Sequence, residues 1–216
     1  MLDIYLLEID GFLTKDEYIG LLNLVSPEKK EKIEKLRDFE DAQSRLFGDL
    51  LIRKIIKDKL GLKNNEINFG VNEYNKPYLC ANQNFHYNLS HSGKYIVCAV
   101  SDRRVGVDIE TIKPINKQVA KRFFTYDESQ YILSKLNENQ TKAFYEIWTK
   151  KEAYVKCMGK GLKIPLNTFN VFAPEISCFF YCALSNEKAI CHVYCESSNE
   201  MQILTLSQYD IFFDKS

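Results

Sequence analysis

The chain has 216 residues, 45% hydrophobic and 27% charged, with 29 basic and 29 acidic residues. That length supports one large or two small domains with a proper core, and a net charge of zero lacks the basic excess of a nucleic-acid binder. No apolar run approaches the ~20 residues of a membrane span, Met1-Leu2-Asp3 has no basic leader region, and seven scattered cysteines, an odd number, suit reduced thiols in a cytoplasm.

Ile4–Ile9 reads as a first strand. Thr14-Lys15-Asp16-Glu17 has the form of a capping box and opens a short helix through Val25. Ser26 as N-cap, with Pro27 behind it, starts a second helical stretch. It runs, with one break near Asp38–Asp41, to a stop at Gly61, and Leu46, Leu50, Ile52, Ile55 and Ile56 form its apolar side. Ile67–Val71 is a strand, Asn72–Pro77 a turn-rich loop, and Phe85–Leu89 a strand ending at Ser90-His91-Ser92-Gly93. Tyr95–Val100 and Val105–Ile109, joined by the polar turn Asp102–Arg104, read as a hairpin. Lys117–Phe123 is a short helix. Thr125-Tyr126-Asp127-Glu128 is a second capping box, opening a helix to about Leu136. Phe144–Met158 is a strong helix closed by Gly159 and Gly161. Thr168–Phe172, Ile176–Ala183, Ala189–Cys195 and Gln202–Leu206 are β-like. The order strand, helices, strands occurs twice, which predicts an α+β fold of two similar halves, 1–103 and 104–216, packed as one unit.

Gly106-Val107-Asp108-Ile109-Glu110 carries the sharpest chemical signal. Val105, Val107 and Ile109 alternate with Gly106, Asp108 and Glu110, so the two acids project from one face of a strand about 7 Å apart. Two buried carboxylates side by side are expensive. A divalent cation that prefers hard oxygens removes the cost, and Mg²⁺ is the usual occupant where phosphates complete the shell. The bland alternative is two solvated acids on an edge strand. In the helix 144–158, Trp148, Glu152 and Lys156 share one stripe at i, i+4 spacing. As a surface feature the Glu–Lys pair is worth ~0.3 kcal/mol; the tryptophan argues for burial and weakens that reading, and the sharper alternative is a third metal-side carboxylate at Glu152 with a phosphate-binding Lys156 one turn beyond.

Other residues offer weaker signals. His91 in its Ser/Gly turn has backbone N–H groups beside it that suit an anion. Lys29, Lys32, Arg37 and Arg45 lie on or near one long helix, where Lys29 and Lys32 could reach one phosphate. Lys76-Pro77 could close over a flat base. Ser90, His91 and Asp108 make a hydrolase triad on paper, without a Gly-x-Ser-x-Gly elbow. P-loop and dinucleotide glycine motifs are absent. Cys178/Cys182 and Cys191/Cys195 faintly resemble two metal pairs, but each has three spacers within an apolar β-like run.

Taken together these pieces resemble one family. Gly-Val-Asp-Ile-Glu followed by Trp-Thr-Lys-Lys-Glu-Ala-Tyr-Val-Lys is similar to the paired signature of the 4′-phosphopantetheinyl transferases, in their monomeric, double-length, surfactin-synthetase-activating type. Ser-Pro-Glu-Lys-Lys-Glu-Lys (26–32), Phe-Gly-Asp-Leu-Leu-Ile-Arg (47–53), Asn-Lys-Pro (75–77), Asn-Leu-Ser-His-Ser-Gly (88–93), Lys-Arg-Phe-Phe (121–124) and Gly-Lys-Gly-Leu (159–162) follow the family's order, over roughly residues 1–172. The resemblance implies coenzyme A bound in the cleft between the halves, and transfer of its phosphopantetheine arm to a carrier-protein serine with release of adenosine 3′,5′-bisphosphate. It implies Asp108, Glu110 and Glu152 on Mg²⁺, or Mn²⁺ in its place, and Lys156 on the pyrophosphate. It puts His91 and Lys29 or Lys32 toward the coenzyme's phosphates, and Lys76, Pro77 and Ser90 at the adenine. Glu152 is the candidate base, acting directly or through a bound water, beside Asp108 and Lys156. The order Ser44-Arg45 departs from the family's Arg followed by Ser/Thr, and one residue on a helix turns a side chain by ~100°, which bears on contact between Arg45 and the 3′-phosphate. A carrier helix would dock around 112–131, with Phe123 and Phe124 as contacts. A silent coenzyme-binding module and a metal-dependent phosphodiester hydrolase are the competing readings.

Overall fold

The computed structural model describes residues 1–115, 119, 122–196 and 200–212. Two antiparallel units repeat one plan. In the first, β1 (Leu2–Glu8) leads through α1 (Lys15–Leu22), α2 (Pro27–Glu34), the 22-residue α3 (Phe39–Leu60) and a small pair, β2 (Phe69–Val71) and β3 (Pro77–Leu79), to β4 (His86–Ser92) and β5 (Tyr95–Ser101). β5 returns to pair with β1, giving the order β4-β5-β1. In the second, β6 (Val105–Thr111) leads through α4 (Tyr126–Leu133), the 22-residue α5 (Asn137–Met158) and the one-turn α6 (Pro174–Ser177) to β7 (Phe180–Ser185) and β8 (Ala189–Cys195). β8 returns to pair with β6, giving β7-β8-β6. Each long helix stops on a left-handed glycine, Gly61 at φ 67° and Gly159 at φ 66°, which a residue with a Cβ enters only with strain. The fold is α+β.

Strand alternation sets the layers. On β5, Ile96, Cys98 and Val100 pack toward α3. Tyr95, Val97 and Ala99 face the other way and meet Val105, Val107 and Ile109 of β6 and Cys191 and Val193 of β8 in a core shared by both sheets. α5 covers the far face of β6 and β8. Both expected capping boxes are formed, at Thr14/Glu17 and Thr125/Glu128. No helix among the described residues is long and apolar enough to cross a membrane.

Several expectations change. β5 and β6 are not a hairpin: the turn at 102–104 carries the chain from one sheet to the other, and β6 pairs with the fully buried β8 instead. The hairpin is β4–β5, turning at Gly93 (φ 54°), so Ser90, His91 and Ser92 stand in the ladder opposite Val97, Ile96 and Tyr95 and not in an open turn. The last strand does not stay with the second half. β9 (Met201–Ser207) pairs in parallel with β1, and Ile211 of α7 (Gln208–Phe212) enters the first half's core. Residues 168–172 form no strand, and α6, started by Pro174, runs into the strand expected over 176–183, which begins instead at Phe180. The expected helix 117–123 lies largely outside the described residues.

Candidate active site

Gly106 explains how the site is assembled. A Cβ there would stand 2.1 Å from the Ala153 carbonyl oxygen and 2.3 Å from the Cys157 nitrogen. With only hydrogen on Gly106, α5 lies directly on β6. The next residues on that face of the strand, Asp108 and Glu110, then meet the helical stripe of Trp148, Glu152 and Lys156. These five side chains, with Leu89, Ser90 and His91 of β4, line a cavity of about 430 Å³ where the two halves meet.

Asp108 is 4% exposed. Its Oδ1 accepts from Lys156 Nζ at 2.6 Å and from Ser90 Oγ at 3.0 Å, whereas Oδ2 is buried without a partner. Burial pushes the Asp108 carboxyl above its ordinary range, against the pull of Lys156 and Ser90. Glu110 accepts from Ser92 Oγ at 3.0 Å; burial and then the Asp108 charge raise it. Glu152 is raised by burial and by both neighbouring carboxylates, with Lys156 opposing. Three acids and one ammonium therefore share one hole. The donor chemistry, hard oxygens with one buried and unsatisfied, fits a divalent cation. The side chains are not drawn together as a finished ligand set: among the described residues no three His, Cys, Asp or Glu groups are placed to hold an ion.

The cations expected at phosphates fall into two groups. His91 Nε2 lies 3.8 Å from Asp41, which also takes Arg45 Nε at 3.0 and 3.1 Å. Burial depresses the His91 pKa; Arg45, Lys156 and Lys29 lower it further, against Asp41. The charges of Arg45, Lys156 and Lys29 thus reach His91, while Ser44 is buried in α3. Lys29 also approaches Asp49 at 3.6 Å, and Lys32 is exposed on α2. Lys76 and Pro77 do not line the cavity. Lys76 Nζ donates to the carbonyls of Val105 (3.0 Å) and Cys157 (3.1 Å), clamping the start of β6 to the end of α5, and Pro77 is exposed at the head of β3.

Ser90, His91 and Asp108 form no hydrolase triad: Ser90 bonds Asp108 directly, and His91 turns to Asp41. The cysteines make no zinc site, since Cys191 and Cys195 are buried in the intersheet core while Cys178 and Cys182 are exposed. Phe124 is core, packed with Phe144 and Trp148, and Phe123 sits edge-on to Trp148, so Phe124 offers no docking contact. Two neighbours of the site escaped the sequence. His192, opposite Asp108 on β8, is bonded to Thr149 Oγ1 at 2.7 Å and held neutral, its pKa lowered to about 3 by burial and Lys150; the period-two phase of 189–195 was the available signal. Lys151 turns away from the cavity into a buried pair with Glu128.

The chain resembles known proteins along both halves. A model of the 4′-phosphopantetheinyl transferase superfamily matches residues 104–207, and one described as 4′-phosphopantetheinyl transferase, N-terminal, matches residues 13–103. The 4′-phosphopantetheinyl transferase Sfp of Bacillus subtilis (strain 168) is 39% identical over 168 residues, covering 78% of this chain and 75% of that protein. A second 4′-phosphopantetheinyl transferase of Bacillus subtilis is 43% identical over the same shares. The 4′-phosphopantetheinyl transferase psf-1 of Bacillus pumilus is 40% identical over 172 residues, 80% of this chain and 74% of its own. With both halves matched and identity sustained over most of its length, the chain belongs to the 4′-phosphopantetheinyl transferase superfamily and is a transferase.

Proposed function

We propose that the chain transfers the 4′-phosphopantetheine arm of coenzyme A to a serine hydroxyl of an apo acyl or peptidyl carrier protein, in a Mg²⁺-dependent reaction that releases adenosine 3′,5′-bisphosphate. The observation that carries this reading is the convergence of Asp108, Glu110, Glu152 and Lys156 on one cavity, with Asp108 Oδ2 buried and unpartnered. Such a hole is costly while three acids share the single ammonium of Lys156. Asp108, Glu110 and Glu152 would hold Mg²⁺, which supplies charge neutralisation on the coenzyme's pyrophosphate.

The chain's own groups account for the remaining needs of phosphoryl transfer, which are positioning, charge and a proton acceptor. Lys156 stands as counter-charge to Asp108; its ammonium is a mobile point charge that can follow the negative charge developing on the leaving phosphate. Glu152, with its proton affinity raised by burial and by its acidic neighbours, is suited to accept the serine proton. The serine O–P bond forms, the pyrophosphate P–O bond breaks, and the bisphosphate leaves with the electron pair. His91 among Arg45, Lys29 and Lys156 supports a seat for the coenzyme's phosphates, with Lys32 one turn beyond.

The test is Asp108→Ala, Glu110→Ala and Glu152→Ala, each checked for folding and assayed by the mass of an apo carrier incubated with coenzyme A. Each variant is expected to stay folded and leave the carrier unmodified. Near-normal rates in all three would overturn the metal assignment.

A further inference from the structure

Three side chains of β4 reach across the seam to β6. Asn88 Oδ1 accepts from the Val107 N–H at 2.8 Å, Ser90 Oγ from Ile109 at 3.4 Å and Ser92 Oγ from Thr111 at 3.0 Å. The strand's period of two puts all three on one face, and they meet the alternate N–H groups of β6. An edge strand needs such partners for its backbone. The serines do more than that. Ser90 Oγ also receives Lys156 Nζ at 3.0 Å. An ammonium and a backbone N–H can only donate, so both Ser90 lone pairs are taken and its own proton must go to Asp108 Oδ1.

Ser92 shows the same accounting one step along. One lone pair takes the Thr111 N–H, and its proton goes to Glu110 Oε2 at 3.0 Å. The Thr111 hydroxyl, 3.1 Å away, fills the second lone pair. Gly93 leaves room for this corner: a Cβ there would stand 3.0 Å from the Thr111 methyl. Asn88 makes the same kind of seam bond, and no bond from its side chain to a carboxylate is present among the described residues.

We propose that Ser92 is a positioning residue, whose hydroxyl aims Glu110 into the cavity so that Glu110 and Asp108 offer oxygens to one cation. This rests on the reading of the carboxylates as a metal site. Partners of this kind, one bond removed from a metal, typically carry a 10–100-fold effect on affinity, roughly.

The experiment uses the purified full chain with coenzyme A present, and reads Mn²⁺ binding from the loss of the free-ion EPR signal. Ser92→Ala is expected to weaken Mn²⁺ about tenfold and to raise the Mg²⁺ needed for half-maximal transfer by a similar factor, with the KM for coenzyme A changed less than about twofold. Ser92→Thr keeps the hydroxyl and is expected to bind as the parent does. Asn88→Ala loses a seam bond without touching a carboxylate, so its thermal midpoint falls while Mn²⁺ binding holds. Parent-like Mn²⁺ binding by Ser92→Ala, or equal weakening by Asn88→Ala, overturns the proposal while leaving the metal site in place. A parent chain that binds no Mn²⁺, or Glu110→Ala binding it undiminished, overturns the metal reading itself.

Discussion

Asp108 Oδ1 lies 2.6 Å from the Lys156 ammonium, while Oδ2 of the same carboxylate is buried with no hydrogen-bond partner. Half of this carboxylate is satisfied and half is not. Glu110 and Glu152 stand around the same cavity and add charge of the same sign. A site of this kind destabilises the ligand-free chain, a common cost of a functional constellation.

That cost has a pH signature. Burial, then Asp108 and Glu110, hold the Glu152 carboxyl above its ordinary range. Between the ordinary and the raised value, the folded chain keeps a proton that the unfolded chain has lost. Stability therefore falls as pH rises through that window and stays lowered above it. Glu152→Gln is expected to be inactive and yet more stable than the parent at pH above the window, with the advantage fading as pH falls through it. Urea unfolding of both chains across the window checks this. Taking the difference cancels His86 and His91, whose depressed values act in the opposite sense. A glutamine variant no more stable than the parent at pH above the window contradicts the expectation.

Gly106→Ala should act at a distance. Its methyl would collide with the backbone of α5 at Ala153 and Cys157, which cannot swing aside as a side chain can. Overpacking of this sort costs about 3 kcal/mol. The helix also carries Glu152 and Lys156, and a displacement near 1 Å costs roughly 100-fold in rate. Denaturant titration and carrier modification per folded molecule measure the two effects separately.

Lys151 shows the opposite pattern. Its Nζ meets Glu128 Oε2 at 2.8 Å and the carbonyls of Leu166 and Phe169 at 2.7 Å each, all without exposure of either charged side chain. Glu128 in turn accepts from the Thr125 and Val171 N–H groups. Lys151→Met strands a buried carboxylate and should cost about 3–5 kcal/mol. Adding Glu128→Gln should recover part of that. Transfer by the folded fraction should be unchanged in both, measured at a temperature where each is native.

Arg45 and His91 should matter only when the coenzyme carries its 3′-phosphate. A charge-assisted hydrogen bond is worth about 1.5–3 kcal/mol, so Arg45→Ala should raise the KM for coenzyme A about tenfold or more. With 3′-dephospho-coenzyme A the parent and the variant should converge. Equal losses on both substrates would move Arg45 away from that phosphate.

Local features were legible in the sequence. The two capping boxes, the glycine stops at 61 and 159, the alternation of 105–110 and the stripe 148–152–156 follow from short-range geometry. Non-local choices were not. Nothing in Tyr95–Val100 says that its partner is β1 and not β6, because both strands are buried on both faces. The parallel return of β9 to β1 is likewise set by tertiary packing. Side-chain identity hid roles as well. Lys76 reads as a ligand contact, and its ammonium clamps two backbone carbonyls; Lys150 and Lys151 are neighbours, and the second is buried in a pair with Glu128. Gly106 was part of the motif, but its reason, the approach of α5, needed the packed structure.

The most direct measurement is the mass of an apo carrier protein after incubation with coenzyme A, with Mg²⁺ and with the metal chelated. A gain of one phosphopantetheine on a single serine is expected, with an equal amount of adenosine 3′,5′-bisphosphate, and no gain once the metal is removed. A carrier modified equally well in the presence of chelator, or left unmodified with Mg²⁺ present while coenzyme A is hydrolysed, would contradict it.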